Sequence, residues 1–232
     1  PSHGRVSLDH AMAMAPSFDT AGWFTRDAGL AAQLGTLLLD GAAVDAPITR
    51  VLLGVDALRE ADACVQSALQ AFIARKQHFL GAVRAVSLAS DGLEAWRECL
   101  RIAQGHEIWQ QFGAWVTATH PQFGPGVRER MAMAAGIDAT SAAQAAHTRA
   151  AMRAQLDALL TPGTVVLLPS APCIAPPCAM EAGAADHFRR RTMALTCGAS
   201  LAGLPQLGVP ALSIDGCPVG VSLLGWRGGD QC

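Results

Sequence analysis

The run Thr164-Val165-Val166-Leu167-Leu168, closed by Pro162-Gly163 before it and Pro169 after it, constrains the fold more than any other stretch of the chain. A continuous apolar run of strand length, rich in β-branched residues and bounded by turn formers, predicts a strand with both faces covered. Such a strand needs sheet neighbours and helices on either side. Residues 51–55 supply a second short apolar run. Val65, Ala68, Leu69, Phe72 and Ile73 then follow the i, i+3, i+4, i+7, i+8 spacing of an amphipathic helix, and residues 83–88 return to strand character. That β-α-β order favours a parallel pair.

Helical periodicity recurs over residues 93–117, with Trp96, Leu100 and Ala103 on one stripe and Ile108, Phe112, Trp115 and Val116 on its neighbour. It recurs again over 127–135, over 140–160 (Ala145, Met152, Leu156, Leu159) and over 185–201. An earlier helix is predicted from Thr25, whose hydroxyl would cap it, through Leu30, Leu34, Leu37 and Leu38 to Gly41. Residues 206–214 and 219–224, flanking Asp215-Gly216, read as a hairpin. The predicted fold class is α/β: one domain over residues 1–232, with a mixed β-sheet covered by helices on both faces.

Composition narrows the function classes. With 51% hydrophobic residues, 16% charged residues and a formal charge of −2, the chain has ample core material and no basic field for a phosphate backbone. Tyrosine is absent and aromatics make up 5%, so stacking platforms for bases are scarce. No nucleic-acid partner is expected. The apolar runs fall short of the roughly 18–20 residues that a membrane span requires, so no membrane partner is expected either. The start Pro1-Ser2-His3-Gly4-Arg5 has neither an initiator Met nor an apolar leader region, and residue 1 is expected not to be the natural beginning of the gene. The seven cysteines (Cys64, Cys99, Cys173, Cys178, Cys197, Cys217, Cys232) are odd in number and contain no CxxC pair. Buried thiols in a reducing cytoplasm account for them, and no metal site is expected.

Residue types alone give little catalytic signal. The chain has no GxSxG elbow, no GxxxxGK[ST] loop and no HExxH pair, and its seven histidines lack ligand spacing. Glu107 continues the stripe of Trp96, Leu100 and Ala103, so it either points inward with a hydrogen-bond partner or sits at the stripe edge and reaches water. Ser170, Ala171, Pro172 and Cys173 follow the carboxyl end of the predicted central strand, where open α/β sheets gather ligands, although a proline-stiffened loop also serves simply to reverse the chain. No base follows Ser170, which argues against a nucleophile there. Asp19, within Ser17-Phe18-Asp19-Thr20-Ala21-Gly22, has a plain alternative as a turn cap.

The order of the motifs carries more than any one of them. Pro1-Ser2-His3-Gly4-Arg5-Val6-Ser7, then Ser17-Phe18-Asp19-Thr20-Ala21-Gly22 and Arg26-Asp27, resembles the stretch P-T-x-G-R-V-S, S-x-D-x-x-G and R-D that follows the nucleophile region of amidase-signature enzymes. Gly105-His106-Glu107-Ile108-Trp109 resembles the family's Glu-bearing helix, and Gly126-Val127-Arg128-Glu129-Arg130 with Gly136 its G-x-x-V-x-x-R segment. Leu167-Leu168-Pro169-Ser170-Ala171-Pro172 with Ala175-Pro176-Pro177 is similar to L-P-T-x-P-x-x-A-P-P. Thr196 through Ser200 to Pro205 is similar to T-x-x-x-N-x-x-G-x-P, and residues 215–225 to D-G-x-P-V-G-x-x-x-x-G. The resemblance spans the chain and is nearest to the C-terminal portion of general bacterial or plant-type amidases. Ser170 stands where Thr is common, and Ser200 where Asn is common.

The resemblance implies an incomplete amidase-signature fold and a cytoplasmic hydrolase of linear carboxamides that needs no cofactor. Its Ser–cis-Ser–Lys catalytic half would lie in polypeptide before Pro1. The chain holds a single lysine, Lys76, which matches no catalytic position, and no G-G-S-S element, so no catalytic residue is assigned here. The implied substrate-binding residues are Ser17, Phe18, Asp19, Glu107, Ser170, Ala171, Pro172, Thr196 and Ser200. Met193, at a place that tends to be polar in the related glutaminyl-tRNA amidotransferase subunit, points toward a more apolar amide. The expected partners are a small-molecule amide, the missing N-terminal half and, as a further assembly, a second copy in a homodimer. The competing expectation is a non-catalytic remnant or pseudoenzyme subunit that serves as a binding module.

Overall fold

The computed structural model describes residues 1–41, 43–44, 46–90 and 92–231. Among the described residues, five strands form one mixed sheet in the order β2-β1-β3-β5-β4. β1 (Arg50–Gly54) pairs in parallel with both β2 (Arg84–Val86) and β3 (Thr164–Pro169). β5 (Cys217–Leu224) runs antiparallel to β3 and joins β4 (Gln206–Ile214) in a hairpin. Every residue of β3 is buried, and because successive side chains alternate in direction, both of its faces are covered. The hairpin turns at Asp215 (φ 50°) and Gly216 (φ 79°), the paired left-handed conformations that match strand twist.

The longer helices follow the predicted periodicity. α1 (Ala28–Leu38) precedes β1, and α2 (Val55–Arg59), α3 (Ala63–Arg75) and α4 (Gln77–Leu80) cross from β1 to β2. α5 (Leu93–Thr119), α6 (Val127–Ala135) and α7 (Ala139–Leu159) lead to β3, and α8 (Ala182–Ala202) leads to the hairpin. α3 packs on β3 and β4 through Val65 and Leu69, which are fully buried. Each such side chain contributes about 1.5–3 kcal/mol by leaving water. α5, α7 and α8 pack on one another around Trp96 and Leu156. Gly198 permits that approach, since a Cβ there would sit 3.1 Å from the Trp96 ring and 3.8 Å from Leu156.

Several expectations need correction. Asp27, not Thr25, caps α1: its carboxylate accepts from Leu30 N at 2.8 Å, while the Thr25 hydroxyl donates to Asp27 O. A carboxylate at the N-cap meets both the unpaired amides and the positive end of the helix dipole. α1 ends at Leu38, short of Gly41. Val55 opens α2 rather than closing β1, with the Asp56 carboxylate accepting from Leu88 N and Ala89 N beyond β2. Of the six described cysteines only Cys99 and Cys197 are buried; Cys64 and Cys178 are exposed, and Cys232 lies outside the described residues. No helix among the described residues is long and apolar enough to cross a membrane.

Contacts between the ends of the chain complete the fold. Ser2 N donates to Asp230 Oδ1, Gly228 N donates to Ser2 Oγ at 3.0 Å, and His3 N donates to Gly203 O at 3.1 Å. The first two join Ser2 to the last described residues, and the third brings His3 against the C-terminal end of α8.

Candidate functional site

β3 delivers Ser170 to the edge of the sheet, where its amide donates to Gly220 O (2.9 Å) and its hydroxyl shares a hydrogen bond with Ser222 (2.8 Å). The fit is close. A Cβ on Gly220 would stand 2.6 Å from Ser170 Oγ and 2.8 Å from its Cβ, so only glycine allows β5 to pass this serine. α8 ends beside it at Gly203, whose positive φ of 65° turns the chain while Leu204 N donates to Ala199 O at 3.0 Å. Arginines satisfy the carbonyls left open at that helix end: Arg149 donates to Leu201 O (2.9 Å), and Arg227 to Ala202 O (2.8 Å) and Gly203 O (3.2 Å).

These elements enclose a depression of about 350 Å³. Phe18 and Thr20 come from the N-terminal loop, Ser170 from the end of β3, Thr196, Ala199 and Ser200 from α8, and Gln206, Gly208 and Ser222 from the hairpin, with Pro1, His3, Gly203 and Leu204 at the margins. Four of the nine residues expected at a substrate site (Phe18, Ser170, Thr196 and Ser200) therefore share one concavity. The hydroxyls of Thr196 and Ser200 also donate back along α8, to Thr192 O (3.2 Å) and Thr196 O (3.4 Å).

The other five expected residues lie outside the lining. Ser17 N donates to Glu107 Oε2 at 2.9 Å and its hydroxyl to Glu107 Oε1, so Glu107 points inward and holds the loop rather than facing the depression. The Asp19 carboxylate accepts from Met14 N (2.8 Å) and Ala15 N (3.0 Å), the turn-capping role. Pro172 is buried, and its carbonyl accepts from Asp62 N at 2.8 Å, tying the loop over residues 169–177 to the start of α3. Ala171 precedes it in the same loop, half-buried. Ser17, Asp19 and Ala171 adjoin lining residues in sequence, whereas Glu107 and Pro172 come from positions next to none.

Arg149 is the residue that the periodicity argument passed over. It stands on α7 between Ala145 and Met152, within the apolar stripe, just as Glu107 interrupts the stripe of α5. Its guanidinium donates to Ser17 O (2.8 Å) and Ser17 Oγ, lies 3.8 Å over the Phe18 ring and stands 3.9 Å from Glu107. Burial pulls the guanidinium below its ordinary pKa, and the Glu107 charge opposes that pull. Two opposite charges, each breaking an apolar stripe on a different helix, were the available signal. Thr20, Gln206, Gly208 and Ser222 carried none, because they join the site only through the hairpin and loop placement. Among the described residues, no group of three or more His, Cys, Asp or Glu side chains is placed to hold a metal ion.

Fold and site together define an α/β protein of the amidase fold. A solved structure described as an amidase superposes on the whole chain with a TM-score of 0.86 at 27% identity, the match covering 54% of that protein. A glutamyl-tRNA(Gln) amidotransferase subunit from Thermotoga maritima superposes with a TM-score of 0.77 at 20% identity, a likeness of fold. Amidase 1 of Oryza sativa subsp. japonica is 30% identical over 261 aligned positions, covering all of this chain and 60% of the relative. No protein-family model matches the sequence. The chain is similar over its whole length to the C-terminal part of these amidases and spans somewhat more than half of their length.

Proposed function

We propose that the chain forms the substrate-side wall of an amidase that hydrolyses a carboxamide to a carboxylate and ammonia or an amine. The observation that carries this reading is the convergence of Phe18, Ser170, Thr196 and Ser200, from three separate segments, on one depression. Among the described residues its lining offers hydroxyls and apolar surface with no Asp, Glu, Lys or Arg side chain, which suits an uncharged amide. The amide oxygen and nitrogen of such a ligand pair readily with Ser, Thr and Gln side chains.

The reactive groups are assigned to polypeptide outside this sequence, in the share of the relatives that the chain does not match. Ser170 pairs with Ser222 rather than with a base, and Lys76 is exposed and absent from the lining. The protein is proposed to be cytoplasmic. The coding sequence upstream of Pro1 tests the assignment: an in-frame G-G-S-S element is expected, and a stop codon directly upstream would refute it. The 232-residue chain by itself is expected to release no ammonia from benzamide. Turnover that disappears in Ser170→Ala would contradict the assignment outright.

A further inference from the structure

Arg149 binds two walls of the depression without lining it. One wall is the loop carrying Ser17 and Phe18. The other is the end of α8, which carries Thr196, Ala199 and Ser200 and finishes near Leu201. The guanidinium donates to Ser17 O (2.8 Å) and Ser17 Oγ, stacks on Phe18 at 3.8 Å, and reaches Leu201 O on the opposite wall at 2.9 Å. Glu107 holds the same loop from α5 through Ser17 N and Oγ and stands 3.9 Å from the guanidinium.

We propose that Arg149, anchored by Glu107, is a positioning residue that fixes the separation of Phe18 from α8 and thereby the largest amide side group the depression admits. The proposal rests on the reading of the depression as the amide site. A planar fork can donate to two acceptors on one wall, a third on the other, and stack on an aromatic face at the same time; a lysine ammonium cannot. The stacking holds the Phe18 ring in one place, and that ring is the bulkiest lining side chain. Because no described lining side chain is Asp, Glu, Lys or Arg, width rather than charge is left to discriminate among neutral amides.

The test combines hydrogen exchange with binding of acetamide, benzamide and 2-naphthamide to the 232-residue chain and to Arg149→Met, Arg149→Lys and Arg149→Ala. In Arg149→Met, backbone amides over residues 14–19 should exchange about tenfold faster or more, while those of β3 keep their protection. The affinity ratio of 2-naphthamide to acetamide should rise by about tenfold, in line with the loss of charge-assisted hydrogen bonds. Arg149→Lys should restore neither quantity. Millimolar guanidinium ion should restore both in Arg149→Ala, where ammonium ion should not. Unchanged exchange at residues 14–19, or faster exchange with an unaltered affinity ratio, overturns the proposal. If Arg149→Met loses protection throughout β3, Glu107→Gln, which keeps volume and one acceptor, is read instead: smaller shifts in the same direction support the proposal, and none refutes it. If the wild-type chain binds none of the three amides, the amide-site reading falls and the width assignment with it, whereas the exchange data still decide whether Arg149 joins the walls.

Discussion

Replacing Gly220 by alanine puts a number on how tightly the site is built. The added Cβ would lie 2.6 Å from Ser170 Oγ and 2.8 Å from Ser170 Cβ, with Val209 O at 3.5 Å, so a rotamer change of the hydroxyl cannot by itself relieve the overlap. The backbone of β5 must move away from Ser170. That movement strains the Ser170 N to Gly220 O bond (2.9 Å) and the Ser170–Ser222 hydroxyl pair (2.8 Å). Overpacking of this kind costs about 1–3 kcal/mol. For a domain of this size that lowers Tm by about 2–12 °C, at roughly 2–4 °C per kcal/mol. Gly208 supplies the control from the other side of the same serine, since a Cβ there would meet Ser170 Oγ at an ordinary 3.7 Å. Neither glycine has a positive φ, so backbone preference does not separate the two substitutions. Urea and thermal unfolding followed by circular dichroism should show Gly220→Ala clearly destabilised and Gly208→Ala within about 0.5 kcal/mol of the parent. Equal losses at the two positions, or none at Gly220, would refute the packing argument.

Glu107→Ala removes the acceptor of Ser17 N and the counter-charge of a guanidinium whose side chain is only 18% exposed. Partial solvation moderates the cost, and urea unfolding should register a loss of about 1–3 kcal/mol. Burial pushes the Cys197 thiol up to about 12 and raises Cys99 as well, so alkylation at pH 8, mapped by mass spectrometry, should reach exposed Cys64 and Cys178 well before either. Arg97 holds the Glu94 carboxyl below its usual 4.5, and Arg101 does the same for Glu98. Because the folded values are depressed, this contribution is complete above about pH 4.5 and is lost as pH falls through the lowered values. Stability measured from pH 6 to pH 3 should therefore fall less steeply in the Glu94→Gln, Glu98→Gln double variant, and salt should shrink the difference because both carboxylates reach solvent.

The sheet and most helices were legible because their signals are periodic and local. The apolar run before Pro169 announced β3, and Asp215-Gly216 announced the hairpin. The spacing of Val65, Leu69 and Phe72 announced α3. Short elements such as α2 and α4 offer too few residues for a period to show. The site was legible in part. Phe18, Ser170, Thr196 and Ser200 lie on segments whose order resembles a known pattern, and they line one depression. Ser17, Asp19, Glu107, Ala171 and Pro172 lie on the same segments but bond or pack behind the wall. Which neighbour faces the cavity depends on side-chain direction in irregular loops, where no period exists to read. The link between Ser2 and Asp230 joins the two ends of the described chain and leaves no trace in local sequence.

A backbone-amide NMR titration with benzamide bears most directly on whether these segments form one amide-binding wall. Shifts concentrated at Phe18, Thr20, Ser170, Thr196, Ser200 and Ser222, saturating with a single affinity, are the expected result. Shifts confined to the separate depression around Cys178, Phe188 and Met193, or no saturable shifts at all, would contradict it.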